Sequence, residues 1–221
     1  MIKFNHADFK KKRIIKTFID ATTQIISEEG IDKVTIRKIA KIAKYNSATI
    51  YNYFDNYNQL IFFAATKFLS EYTQALSDHL KNITSSMETF LLDWEYFSKY
   101  SFQNPQIYYA IFTENIGDSS ENLMKKYYNL FPEELENIPS NLIPMLTETN
   151  FPKRCSLLIK PCIEDGFFSQ TTAEEIDESI RFMYQGMLTL SINHRLQYDV
   201  DEATEVFIKH VKRIVDNAII K

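Results

Sequence analysis

From Ile14 onward, apolar side chains return with the spacing of one helix face, at Ile14, Phe18, Ala21, Ile25 and Ile26, and Gly30 then offers a residue able to take positive φ. The pattern predicts a first helix over residues 9–29. After the connector Ile31-Asp-Lys-Val34, Thr35 can cap a second helix over 36–43 with Ile36, Ile39, Ala40 and Ala43 on its inner face. Asn46 can cap a third, over 47–53. Two short helices so closely joined cannot lie antiparallel and must cross steeply, the helix-turn-helix arrangement. Asn56 then caps a long fourth helix over 57–80, whose apolar face of Leu60, Ala64, Phe68, Tyr72 and Leu76 leaves this head and enters the body.

The remainder keeps the helical period and lacks the alternating, β-branched runs that strands require. Helices are expected over 87–100, 105–115 and 120–130. Pro132, Pro139, Pro144 and Pro152 break up the next stretch into short turns and a loop, and Pro161 interrupts a helix over 152–165. Two long helices close the chain. One opens on a capping box from Thr172 to Glu175 and runs to about residue 196, the other is capped by Asp199 with Glu202 three residues on. The expected fold is all-α: an N-terminal three-helix bundle with a helix-turn-helix, residues 1–56, joined by a long helix to a C-terminal helical domain, residues 57–221, which the family resemblance described below implies to be a ligand-binding and dimerisation domain.

Charge divides the chain in the same place. Residues 1–60 hold 11 Lys and Arg against 6 Asp and Glu, a net +5, whereas the rest hold 14 against 23, a net −9. A basic head on an acidic body suits a polyanion at one end only. No 18-residue apolar run occurs, and no signal-like apolar stretch follows the basic start MIKFNHADFKKKR, so the sequence is read as cytoplasmic with no membrane partner. Cys155 and Cys162 suit two buried thiols on one helix face better than a disulfide or a metal site. His6, His79, His194 and His210 are scattered, and neither HExxH, CxxC, a glycine-rich phosphate loop nor a nucleophile elbow is present. Neither catalysis, a cofactor nor a metal is expected.

The segment from Val34 to Phe54, VTIRKIAKIAKYNSATIYNYF, resembles the helix-turn-helix of the TetR family of transcriptional regulators. The resemblance rests on Thr35 opening the second helix, on Ile39-Ala40, and on Thr49-Ile50-Tyr51 followed by Tyr53-Phe54, with Gly30 and Leu60 also falling in place. It is strong over residues 10–65. Beyond them it extends only to helix order, helix length and Gly186 within a long penultimate helix. It implies a homodimeric repressor that holds a palindromic double-stranded DNA operator and lets go when a small lipophilic effector enters the body. Two positions depart from the family pattern: Lys44 stands where glycine is usual in the turn, and Tyr57 where a phosphate-binding lysine is usual.

The residues support a DNA-reading role without the family name. A helix tip entering the major groove needs small or polar groups, which Asn46, Ser47, Ala48, Thr49 and Asn52 supply. Tyr51 and Tyr53 can set rings against sugar or a thymine methyl and hydroxyls on phosphate, while Ile50 and Phe54 face inward. Thr35 and Arg37 stand at a helix N-terminus, which attracts phosphate, and the Tyr57 hydroxyl is expected to contact another. Lys10, Lys12, Arg13, Lys38, Lys41 and Lys44 can add non-specific charge.

In the body, Phe90, Trp94, Phe97, Tyr108, Tyr109 and Phe112 are the expected walls of an effector site, with an aromatic core lacking any cavity as the open alternative. Asp93, Glu95 and Glu114 lie among these rings and would suit a lipophilic cation. Ile180, Met183, Met187, Leu190, Ile192 and Leu196, with Val206, Phe207, Val211, Ile214 and Ile219, exceed what one helix side needs and are expected to pair with a second copy. A rival reading from another class is a ligand-carrying or interaction module whose head no longer binds DNA, for which Lys44 and Tyr57 speak.

Overall fold

A computed structural model of the chain describes residues 6–81, 83–113 and 120–219. The described residues form α-helices with two short 3₁₀ turns and no strand. In chain order the helices are α1 (His6–Glu29), α2 (Ile36–Ala43), α3 (Ser47–Ile50), α4 (Tyr57–Leu80), α5 (Ser86–Gln103), α6 (Pro105–Phe112), α7 (Ser120–Leu130), α8 (Ile143–Leu146), α9 (Phe151–Glu164), α10 (Gln170–Ile192) and α11 (Val200–Ala218). Residues 114 and 115, the expected end of the helix from 105, lie outside the described residues.

Caps set most boundaries. The side chains of Thr35, Asn46, Asn56, Ser85, Asn150 and Asp199 each accept a backbone N–H in the first turn of α2, α3, α4, α5, α9 and α11. Asp199 and Glu202 complete the expected capping box. The box expected from Thr172 does not start α10. Ser169 caps it instead, its hydroxyl accepting from the Thr172 N–H at 3.1 Å, and the helix ends at Ile192 before His194, which takes φ 54°.

The turn of the helix-turn-helix accepts Lys44 without reshaping. Lys44 adopts the left-handed conformation at φ 58°, ψ 39°, and the Tyr45 N–H reaches back to the Ala40 carbonyl at 3.0 Å, the closure of a Schellman motif. The third helix is shorter than the sequence predicts. After Ile50 the chain tightens, with Asn52 N–H bonded to Thr49 at 3.1 Å and Tyr53 N–H to Ile50 at 3.0 Å, both three residues back, so residues 51–53 continue as turns.

Phe18, Ile39, Ile50, Phe54, Leu60 and Phe63 fill the core of the head, where the Phe54 ring meets Phe18 at 6.2 Å and Phe63 at 6.1 Å between centroids. The opening turns of α4 thus belong to the packing of the head. Further along, Phe68, Tyr72 and Leu76 of the same helix are buried in the body against α5 and α6. Cys155 and Cys162 are buried free thiols on α9, a helix that also contains Pro161.

Candidate DNA-binding face and candidate effector site

The outer face of the head follows from the burial of its inner one. Ile50 and Phe54 are buried, which turns Ala48, Tyr51 and Asn52 to the exterior and leaves Ser47 and Thr49 half-exposed. Tyr51 is 58% exposed, a large ring held out from a well-packed core. Asn46 is exposed, its Oδ1 committed to the Ala48 N–H at 2.9 Å and its amide hydrogens on the outside. Thr35 and Arg37 are exposed at the start of α2, on the same side as Lys41 and Lys44.

Four of the expected contact residues look different in the structure. The Tyr57 hydroxyl donates to the Val34 carbonyl at 2.9 Å from a half-buried ring. A phosphate oxygen can only accept, so the one proton this phenol has is already committed to tying α4 to the connector before α2. Tyr53 is half-buried with its ring 6.2 Å from Phe18, and offers DNA an edge more than a face. Lys12 and Lys38 are held in ion pairs, at 2.9 Å with Glu133 and 2.6 Å with Glu29.

In the body, Trp94, Phe97, Tyr108 and Phe112 are buried as a connected cluster, joined by Phe151 from α9 and Tyr184 from α10, and Phe90 is buried without a ring contact to them. Tyr109 is not part of it. It is 38% exposed on the outer side of α6, whereas its neighbour Tyr108 is fully buried.

Of the carboxylates expected among these rings Asp93 is buried with the cluster, and an unexpected cation is buried beside it. Glu95 is exposed, and Glu114 lies outside the described residues. The buried cation is Arg154 of α9, whose guanidinium carbon lies 5.1 Å from the Phe97 ring centre, 5.5 Å from that of Phe112 and 5.6 Å from that of Tyr72. Its Nη1 donates to the Met145 carbonyl and its Nη2 to the Tyr72 hydroxyl, each at 2.8 Å. Since Arg154 can only donate, the phenol oxygen accepts from it and passes its own proton to Asp93, the short bond that completes the chain. Burial pushes the Asp93 carboxyl above its ordinary range, while Arg154 and the Tyr72 hydroxyl pull against that shift. The Tyr108 hydroxyl and the Trp94 indole N–H, both fully enclosed beside Phe97, have no hydrogen-bond partner.

Arg154 and Tyr72 were not among the expected site residues, although the sequence carried a signal for the arginine. It occupies an inward position in the apolar stripe Phe151, Cys155, Leu158, Ile159 and Cys162. A charged residue at such a position is buried only with partners.

An exposed helix-turn-helix on a basic head, carried by one long helix into an all-helical body, defines a class of DNA-binding protein. Residues 18–62 match the family described as bacterial regulatory proteins of the tetR family. The head of this chain thus matches that family over residues 18–62, and the described residues share the fold of solved TetR-family regulators. The chain is 31% identical over 70 residues to the HTH-type transcriptional regulator HbdR of Aromatoleum sp. (strain CIB), a match that spans 32% of this chain and 31% of that protein. Among solved structures, a TetR transcription regulator from Haloarcula marismortui is similar at TM-score 0.60 and 17% identity, covering 94% of this chain and 99% of that one. RolR in complex with resorcinol is similar at TM-score 0.59 and 14% identity, over 96% and 91%. Thermus thermophilus FadR, a TetR-family repressor in complex with lauroyl-CoA, is similar at 0.55 and 13%, over 90% and 93%.

Proposed function

We propose that this chain is a ligand-responsive transcriptional repressor, a homodimer that holds a palindromic operator through residues 1–56 and releases it when a small lipophilic effector enters residues 57–221. The observation that carries the reading is the pairing of a buried Ile50 and Phe54 with an outward Ala48, Tyr51 and Asn52 on a head of net positive charge. Side chains of that kind at a helix tip can read base edges, and the surrounding lysines neutralise phosphates without regard to sequence. The contacts assigned to DNA are Thr35, Arg37, Asn46, Ser47, Ala48, Thr49, Tyr51 and Asn52, with Tyr53 contributing an edge.

Two copies are needed to read a palindrome, and the last two helices supply a face for pairing. Ile180, Phe207 and Val211 are spent on the chain's own core, but Phe182 is 61% exposed, Leu190 is exposed, and Met183, Met187, Val206 and Ile214 are half-buried. Gly186 lies open between them, with nothing within 4 Å of where a Cβ would sit, so a second helix can approach closely. Two-fold pairing of α10 and α11 with their copies makes a four-helix interface. The resorcinol and lauroyl-CoA complexes of similarly folded regulators support an effector that is small and at least partly apolar. A regulator of this kind works in the cytoplasm and needs no catalytic group.

Effector binding relieves repression only by its differential affinity for two states of the body, and about 100-fold relief requires roughly 2.7 kcal/mol of coupling. The test is a gel shift with DNA from upstream of the chain's own gene against scrambled DNA of equal length. Preference for the upstream fragment at moderate salt is expected. Equal retardation of both would end the proposal, and a dimer that takes ligands yet ignores DNA would select the ligand-carrier reading.

A further inference from the structure

The interior of the body holds hydrogen-bonding groups that have no partner within the chain. The Tyr108 hydroxyl and the Trp94 indole N–H are unpartnered, and the two bonds made by Arg154 leave a second hydrogen on each of its Nη atoms. All three residues meet at one ring: Phe97 lies 5.4 Å from Tyr108, 6.0 Å from Trp94 and 5.1 Å from the Arg154 guanidinium carbon. A buried donor left without a partner is costly, and three residues with such donors packed against one ring would each gain from an acceptor brought in beside it. Asp93 does not meet it, because it reaches the guanidinium only through the Tyr72 hydroxyl.

We infer that the effector is a small monocarboxylate with an aromatic or acyl body, its carboxylate received by Arg154, Tyr108 and Trp94 and its apolar part by the rings around them. This rests on the proposed regulatory function and supplies the chemical class of its ligand. A carboxylate matches the planar guanidinium fork with two oxygens and is itself acceptor-only. A cation would meet the Arg154 charge at the position where it sought an aromatic cage, and a neutral alcohol would satisfy one donor at most in the charge-assisted manner. Phe112, 9% exposed at the end of α6, is the most open of the three rings about the guanidinium and turns aside to admit the ligand. A carboxylate on the free Nη hydrogens competes with the Tyr72 oxygen for the Arg154 charge and weakens the bond from Nη2 to Tyr72, which stands on α4, the helix whose first turns are packed in the head.

Trp94 is the only tryptophan in the chain, so its emission reports on this site alone. The full-length protein, free of DNA, is titrated with sodium benzoate, phenylacetate and 3-phenylpropionate, and with 3-phenylpropanol and 3-phenylpropylamine as neutral and cationic counterparts. A saturable change in Trp94 emission is expected with at least one carboxylate, half-complete at a concentration at least about tenfold below that for the alcohol or amine. Tyr108→Phe, which removes an unpartnered hydroxyl and leaves the packing intact, should weaken the carboxylate about tenfold, and Arg154→Met should erase the preference for acid over alcohol. Equal or tighter response to the alcohol or amine overturns the inference, as does silence toward all three carboxylates up to about 10 mM. So does a preference for acid that survives both substitutions. The gel shift is done without effector, so operator binding with no carboxylate response rejects this ligand class alone, and loss of operator preference rejects the regulatory reading.

Discussion

The same chemical change, tyrosine to phenylalanine, should have opposite effects at two positions in one aromatic cluster. Tyr72 and Tyr108 are both buried and both border Phe97, at 5.6 Å and 5.4 Å between ring centres. Tyr72→Phe removes only the oxygen that joins Arg154 to Asp93, leaving a guanidinium and a carboxylate facing each other without the intervening phenol. Two charge-assisted bonds are lost and two buried charges are left short of partners, which costs about 3–5 kcal/mol. Tyr108→Phe removes a hydroxyl that has no partner and should stabilise by roughly 1–2 kcal/mol, the desolvation cost no longer incurred. For a chain of this length each kcal/mol moves Tm by about 2–4 °C, so Tyr72→Phe should melt roughly 10 °C low and Tyr108→Phe a few degrees high. Thermal melts and urea titrations at one fixed protein concentration measure both, an unchanged urea slope showing that the same transition is followed. The penalty at Tyr72 should also shrink as pH falls. Without the phenol, one of the two influences holding the Asp93 carboxyl down is gone, so its folded pKa rises further above the ordinary 3.8 and the folded state binds more protons than the unfolded one in that window. Its stabilising protonation is fully present below 3.8 and is lost as pH rises through the folded value. Shifts of the same sign at the two tyrosines, or a Tyr72→Phe protein within about 0.5 kcal/mol of the parent, would refute the hydrogen-bond chain as drawn.

The head and the pairing face make separate predictions. Tyr51→Ala should weaken operator binding by about 1–3 kcal/mol in a gel shift and leave Tm nearly unchanged, because this ring supports no core. Lys44→Gly should raise stability by about 0.5–1 kcal/mol in urea titration, since a left-handed backbone costs lysine more than the added freedom of glycine costs the folded state. If the proposed pairing holds, the parent runs as a dimer and Phe182→Glu as a monomer in size-exclusion chromatography with light scattering; a dimer that persists in the variant would move the interface away from α10.

The head was legible in the sequence because local chemistry decides it. Thr35, Asn46 and Asn56 cap the helices they were expected to cap, and the inward pair Ile50 and Phe54 follows directly from spacing. The length of α3 was not legible: helical spacing continues through Tyr53, but the backbone tightens after Ile50, and side-chain periodicity does not distinguish three residues per turn from 3.6 over one turn. In the body most of the expected aromatic residues are buried together, but Tyr109 stands outside them: successive side chains point about 100° apart around a helix, and nothing local says whether one or both of an adjacent pair is covered. Arg154 was missed for a different reason. Its partners Tyr72 and Asp93 lie 82 and 61 residues away, on α4 and α5, and no window of sequence brings them together.

These positions also bear on how a signal would cross the molecule. On the exterior, the head is held to the body by Lys12 with Glu133 at 2.9 Å and Lys126 with Asp55 at 2.8 Å, pairs exposed enough to contribute well under about 1 kcal/mol each. They are too weak to carry about 2.7 kcal/mol of coupling and are screened by salt. The bond from Arg154 to Tyr72 is buried and charge-assisted, and a bond of that kind is worth about 1.5–3 kcal/mol, the required size. If α4 transmits the effector's presence through that bond, Tyr72→Phe should uncouple the two sites: operator affinity becomes indifferent to effector, while the surface pairs can be broken with little loss of response. A gel shift with and without a bound carboxylate separates the cases. Full relief of operator binding in Tyr72→Phe, together with none in Lys126→Ala, would put the transmission on the surface and remove α4's tyrosine from the mechanism.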